Sequence, residues 1–142
     1  MNFNASLPKV VIDTNVWISA LFWGGKPRQI IEVWLNNQVS LIISPLLYQE
    51  FFETVTKKAK ALKLAPTFAL KWLEILDQKA IFVHPQTKVE ICRHSNDNLL
   101  LEVCLESNAD YLVTGDKDLL ILKTFKTTKI LTPAQFLGRK SV

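Results

Sequence analysis

The sequence predicts an α/β fold, a small three-layer α/β/α sandwich with a mostly parallel central sheet. Two observations carry that expectation: short strand-like runs that are apolar throughout rather than on alternate residues, and longer stretches of helical spacing between them. A strand buried on both faces loses its alternation, and helices between successive strands are what cover both faces of a parallel sheet. The chain has 142 residues, 49% of them hydrophobic, which fits one domain, 1–142, with a core of its own.

The first strand is "KVVI", Lys9 to Ile12, followed by helical spacing over Val16 to Trp23 and Pro27 to Asn36. "VSLII", Val39 to Ile43, is the second strand. Ser44-Pro45 then reads as an N-cap with proline at the first helical position, opening a helix to Lys60. A helix over Thr67 to Asp77 precedes the strand "AIFV", Ala80 to Val83. Asn96 or Asp97 caps the next helix, to Glu106, and "DYLVT", Asp110 to Thr114, is the strand after it. "KIL", Lys129 to Leu131, and a short helix capped by Thr132 over "TPAQFL" complete the order. No internal repeat, low-complexity tract or linker interrupts it.

The N-terminus shows no apolar signal-peptide core and no run is long enough to span a bilayer, so the expectation is a cytoplasmic, soluble protein with no membrane partner. Cys92 and Cys104 lack metal-ligand spacing and read as free thiols in or near the core. A net charge of +4 leans weakly towards a polyanionic partner.

Ligands of an open α/β sheet bind outside the carboxyl ends of the strands. Asp13 follows the first strand and Asp116, in "LVTGDKD", follows a later one. An aspartate at a strand-to-helix junction is also an ordinary cap, so either alone says little. Asp97 is more telling, because Leu100, Leu101 and Cys104 lie three, four and seven residues on and place it in line with a core-facing stripe. Glu50 sits among Leu46, Leu47 and Thr54 at the edge of a similar face, whereas Glu53 pairs by spacing with Lys57 on the solvated side. Four converging carboxylates need a proton or a cation between them. Hard oxygen donors without a histidine or cysteine cluster favour Mg²⁺ or Mn²⁺, and such a site suits phosphoryl chemistry.

"VVIDTNVWISAL", "LIISPLLYQEF", "NDNLLLEVCLESNADYLVTGDKDLL" and "ILTPAQFL", in this order, resemble the PIN-domain ribonucleases, especially the VapC-like toxin branch of bacterial toxin-antitoxin pairs. The blocks run from Lys9 to Leu137. The resemblance implies a Mg²⁺- or Mn²⁺-dependent endoribonuclease that cuts single-stranded RNA, with a cognate antitoxin protein and a homodimer as partners. It also implies roles: Asp13, Glu50, Asp97 and Asp116 as catalytic metal ligands, Asn15 orienting Asp13, Thr114 hydrogen-bonding within the site, and Asp118 near the metal or a water. One departure stands out. Similar proteins often carry Asp-Pro where this chain has His94-Ser95.

Other readings fit less well. A haloacid-dehalogenase-like phosphatase wants a second aspartate two residues after the first, where Asn15 stands, and a receiver-like domain wants an adjacent acid pair after the first strand. A non-catalytic PIN-like module that binds RNA or protein is the rival of a different class. The basic cluster Lys57, Lys58, Lys60 and Lys63 either lines an RNA path or complements a helix C-terminus. Among Trp17, Trp23, Trp34 and Trp72, most are expected in or near the core.

Overall fold

A computed structural model describes residues 7–139. Six strands form one sheet in the order β3-β2-β1-β4-β6-β5. Strands β1 (Lys9–Ile12), β2 (Ser40–Ile43), β3 (Ile81–Phe82), β4 (Tyr111–Val113) and β6 (Thr128–Leu131) pair in parallel, and β5 (Thr124–Phe125) is antiparallel to β6. Seven helices flank it: α1 (Thr14–Phe22), α2 (Gly25–Leu35), α3 (Pro45–Ala61), α4 (Pro66–Lys79), α5 (Ser95–Ser107), α6 (Lys117–Leu120) and α7 (Pro133–Gly138). The mostly parallel α/β architecture expected from the apolar runs is the one observed.

The central strands are apolar because both their faces are covered. Val10, Val11, Leu41, Ile42, Leu112 and Val113 are all buried, and α5 lies against β1, β2 and β4. On the helical side Trp17 sets its ring edge-on to Trp34 at 5.6 Å and tilts against Phe51 at 5.3 Å, locking α1, α2 and α3 together. The core expectation holds for these two tryptophans. Trp72 is half-buried, while Trp23 is 67% exposed beneath the Lys58 ammonium.

Strand order decides where a site can form. From β1 the chain moves outward through β2 to β3, then α5 returns it to β4 on the opposite side of β1. The C-terminal ends of β1 and β4 therefore flank the point where the winding reverses, and a crevice opens there.

Local details depart from the expectations or add to them. Helix α5 begins at Ser95 with His94 at the cap position and no side-chain cap bond, so neither Asn96 nor Asp97 caps it. The Asp97 carboxylate is turned into the crevice instead. Asp116, accepting from the Asp118 backbone N–H, caps α6, and Asp118 lies inside the first turn. Strand β6 holds the expected "KIL", but β5 has no apolar run to announce it: the turn between them is Lys126-Thr127, with Lys126 at φ 54° where glycine or asparagine is the usual signal. Glu53 and Lys57 are exposed, but no ion pair joins them among the described residues. The caps at Ser44 and Thr132 form as expected, the latter as a reciprocal capping box with Gln135. Both cysteines are free, and burial pushes the Cys104 thiol up to about 12.

Candidate active site

The crevice is built by caps. Asp13 follows β1, and its backbone N–H donates to the Val113 carbonyl at 3.0 Å, tying the ends of β1 and β4. One carboxylate oxygen caps α1 by accepting from the Asn15 N–H at 3.2 Å; the other accepts from Thr114 Oγ1 at 2.7 Å. Thr114 Oγ1 in turn accepts from the Asp116 N–H at 3.0 Å, and Asp116 Oδ1 accepts from the Asp118 N–H at 2.8 Å. One chain of hydrogen bonds thus fixes two acids from two strands. Capping a helix and lining the cleft are the same act here: the geometry that makes Asp13 the cap of α1 also sets it beside the other acids.

Two helices supply the other acids. Glu50, on α3, accepts from Thr14 Oγ1 at 2.6 Å, which ties it to the start of α1. Asp97, in the first turn of α5, is only 4% exposed, and its Oδ2 has no hydrogen-bond partner among the described residues. Asp13, Glu50, Asp97 and Asp116, with Thr54 and His94, line a cleft of about 380 Å³. One oxygen each of Asp97, Asp116 and Asp118 lies within 4.8 Å of the other two. Asp13 and Glu50 share the cleft but stand outside that tight trio.

Charge is unbalanced in this cleft. Burial, then the neighbouring Asp116 and Asp13 carboxyls, push Asp97 up to about 6, with His94 easing the shift. Burial also raises Asp13; the bonds from Thr114 and Asn15 oppose it, and the charge of Asp116 adds to it. No Lys, Arg or His forms an ion pair with any of the four among the described residues. A buried carboxylate oxygen with no donor is costly unless a proton or cation meets it. The donors are all oxygen, the set a hard divalent cation prefers, so these residues fit such an ion.

Not every expected contact is present. Thr114 bonds within the site as expected. Asn15 reaches Asp13 through its backbone N–H, while its side chain is exposed at the cleft wall, so the orienting side chain is Thr114. Asp118 does not line the cleft, but one of its oxygens lies within 4.8 Å of oxygens of Asp97 and Asp116, in keeping with its expected place near them; Arg93 holds it, Nε to Oδ2 at 2.8 Å, and pulls its carboxyl below the usual range. His94 is exposed yet borders the cleft, with Nε2 3.7 Å from Asp118 Oδ2. Sequence reasoning passed over Arg93. Its signal was a guanidinium four residues before Asp97 in "CRHSND". The lysines of the α3 end remain at the surface, Lys58 and Lys60 in its last turn.

Comparison with known proteins adds a family. Residues 9–118 match the sequence description of the PIN domain. An uncharacterized protein of Methanocaldococcus jannaschii is 34% identical over 117 residues, 81% of this chain and 75% of that protein. Among solved structures, VapBC2 from Rickettsia felis, bound to a DNA fragment from its promoter, superposes with a TM-score of 0.58 at 17% identity, covering 86% of this chain and 96% of that one. The PIN domain of RRP44 from T. brucei reaches a TM-score of 0.48 at 14% identity, over 94% of this chain and 80% of that one. At these identities the structural likeness speaks for the fold alone.

Proposed function

The chain belongs to the PIN-domain family, and from that membership we propose that it is a divalent-metal-dependent endoribonuclease that cuts single-stranded RNA. The observation that carries this reading is the convergence of Asp13, Glu50, Asp97 and Asp116 on one cleft with no ion pair to balance them among the described residues. These four residues would hold Mg²⁺ or Mn²⁺. When bound, such an ion supplies Lewis acidity and charge neutralisation for phosphodiester hydrolysis.

The chain's own residues do the positioning. Thr114 aims the Asp13 carboxylate and holds the Asp116 backbone, so both acids face the cleft before any ligand arrives. Thr14 does the same for Glu50. Asp97 brings a buried oxygen that no donor among the described residues meets, so part of its desolvation is met by the fold.

The reading extends to a toxin role, with a cognate antitoxin protein and a homodimer as partners and a cytoplasmic site of action. The sequence blocks from Lys9 to Leu137 support that extension. Among the described residues no helix is long and apolar enough to cross a membrane.

The test is cleavage of a mixed-sequence single-stranded RNA in Mg²⁺, Mn²⁺ or EDTA by the protein and by Asp13→Asn and Asp116→Asn. Metal-dependent cutting that both variants lose is the expected result. Absence of cutting in either metal, or variants as active as the parent, would favour the non-catalytic module.

A further inference from the structure

Five acids surround the crevice, and they fall into two groups. Four line the cleft without a cationic partner, and the fifth, Asp118, has one. Arg93 takes both of its oxygens, Nε to Oδ2 at 2.8 Å and Nη2 to Oδ1 at 3.3 Å. This fork-on-fork geometry is the directional form of the Arg–carboxylate pair. Asp118 is thereby balanced before any ion arrives, which sets it apart from Asp97 and its bare oxygen.

Arg93 is held from two sides. Asn98, on α5, grips the backbone of the preceding residue in both directions: the Cys92 N–H donates to Oδ1 at 2.9 Å, and Nδ2 donates to the Cys92 carbonyl at 3.0 Å. The same helix carries Asp97, and the acid that grips the guanidinium lies two residues from Asp116. So the segment that presents Arg93 is fixed to both elements that present Asp97 and Asp116.

What remains of the guanidinium is open. The Arg93 side chain is 77% exposed, and its other N–H groups have no acceptor among the described residues. A fixed, exposed guanidinium edge at the rim of an acidic cleft is a recognition element for a phosphate oxygen. A polyanion approaching four carboxylates needs one, because a cation held among those carboxylates serves chiefly to cancel their charge. We infer that Arg93 binds a backbone phosphate of the RNA at this site, and that Asp118 is the residue that positions Arg93 and not a ligand of the metal. The inference rests on the nuclease reading above.

The pair lies at the surface, where breaking a salt bridge costs little stability, so single variants should fold. The experiment is Mn²⁺ titration by calorimetry together with anisotropy of a fluorescein-labelled single-stranded RNA in Ca²⁺, on the parent, Arg93→Gln, Arg93→Lys, Asp118→Asn and the double variant Arg93→Gln/Asp118→Asn. Arg93→Gln should weaken RNA binding roughly tenfold and lower the salt slope by about 1, the signature of one lost phosphate contact. It should leave Mn²⁺ affinity unchanged or tighter, because a positive charge beside the cleft is gone. Arg93→Lys should recover part of the RNA affinity. Asp118→Asn should keep Mn²⁺ affinity within about twofold and weaken RNA binding, and the double variant should be no worse than Arg93→Gln alone.

Two results overturn the inference while leaving the nuclease reading intact. One is an unchanged RNA affinity and salt slope in Arg93→Gln; the other is Mn²⁺ binding lost in Asp118→Asn as fully as in Asp116→Asn. If the parent neither binds nor cuts RNA, the nuclease reading falls and takes the inference with it.

Discussion

The two ends of the sheet treat their acids differently. Where β1 and β4 begin, Asp110 accepts from the Lys9 backbone N–H at 2.8 Å, the Lys9 ammonium donates to the Ser107 carbonyl at 3.1 Å, and Thr128 Oγ1 donates to the Ala109 carbonyl at 2.7 Å. The acid there has its partner, and the buried atom left without one among the described residues is a neutral hydroxyl, Ser40 Oγ. Where the same strands end, Asp13, Asp97 and Asp116 crowd one cleft, and an Asp97 oxygen has no partner. Helix α5 carries both kinds of acid on a single element: Glu102 and Glu106 accept from the Val89 and Gln86 N–H groups, each at 3.0 Å, while Asp97 turns into the cleft. Convergence with other acids on one cleft, rather than the mere presence of an acid, separates these carboxylates from the ones that hold the fold.

The largest expected effect breaks this contrast directly. Asp116→Asn should lower RNA cleavage by more than about a hundredfold, beyond what loss of an outer-sphere partner costs, whereas Asp110→Asn should leave cleavage unchanged and cost about 1 kcal/mol of stability. Cleavage rates and urea melts on the two variants make the comparison. Equal losses of activity would erase the distinction between the two ends.

Thr114→Val comes next, because it removes the hydroxyl that joins Asp13 to Asp116. Metal affinity should fall about 10- to 100-fold with the fold retained, measured by Mn²⁺ titration and circular dichroism. An unchanged affinity would mean that the hydrogen-bond chain is not what aims the acids.

pH sharpens the contrast through Asp97. Its folded pKa of about 6 lies above the ordinary 3.8, so between those values the native state keeps a proton that the unfolded chain has released. Stability without metal should therefore fall as pH rises across that window, and Asp97→Asn should flatten the trend in thermal melts. Metal binding needs the ionised carboxylate, so affinity should weaken below about pH 6. The smallest effect belongs to Glu53→Gln, on the exposed side of α3 one turn from Glu50: cleavage should stay within about twofold of the parent, the size of change expected at a solvated position. Glu50→Gln should lose far more in the same assay.

Much of this was legible in the residues because it rests on local chemistry. Runs such as "KVVI" and "DYLVT" are apolar throughout because covered strands must be, and Ser44-Pro45 and Thr132-Pro133 announce helices by their capping groups. Asp13 and Asp116 were visible as acids at strand ends, and Asp97 as an acid on an apolar stripe. What escaped depends on contacts between distant residues or on backbone conformation. Arg93 meets Asp118 across 25 positions, a pairing no local spacing encodes. The β5–β6 turn uses Lys126 at a positive φ, which leaves no glycine to mark it. Asn15 was expected to orient Asp13 by hydrogen bonding, and it does so through its backbone N–H, a donor that any residue except proline brings, so its identity was not the signal.

The central claim is that Asp13, Glu50, Asp97 and Asp116, which converge on one cleft with no ion-pair partner among the described residues, form a seat for a divalent cation. Calorimetric titration of Mn²⁺ at neutral pH into the parent, Asp116→Asn and Asp110→Asn tests it most directly. Saturable binding in the parent and in Asp110→Asn, lost in Asp116→Asn, is the predicted result. No saturable binding in the parent, or binding that survives intact in Asp116→Asn, would contradict it.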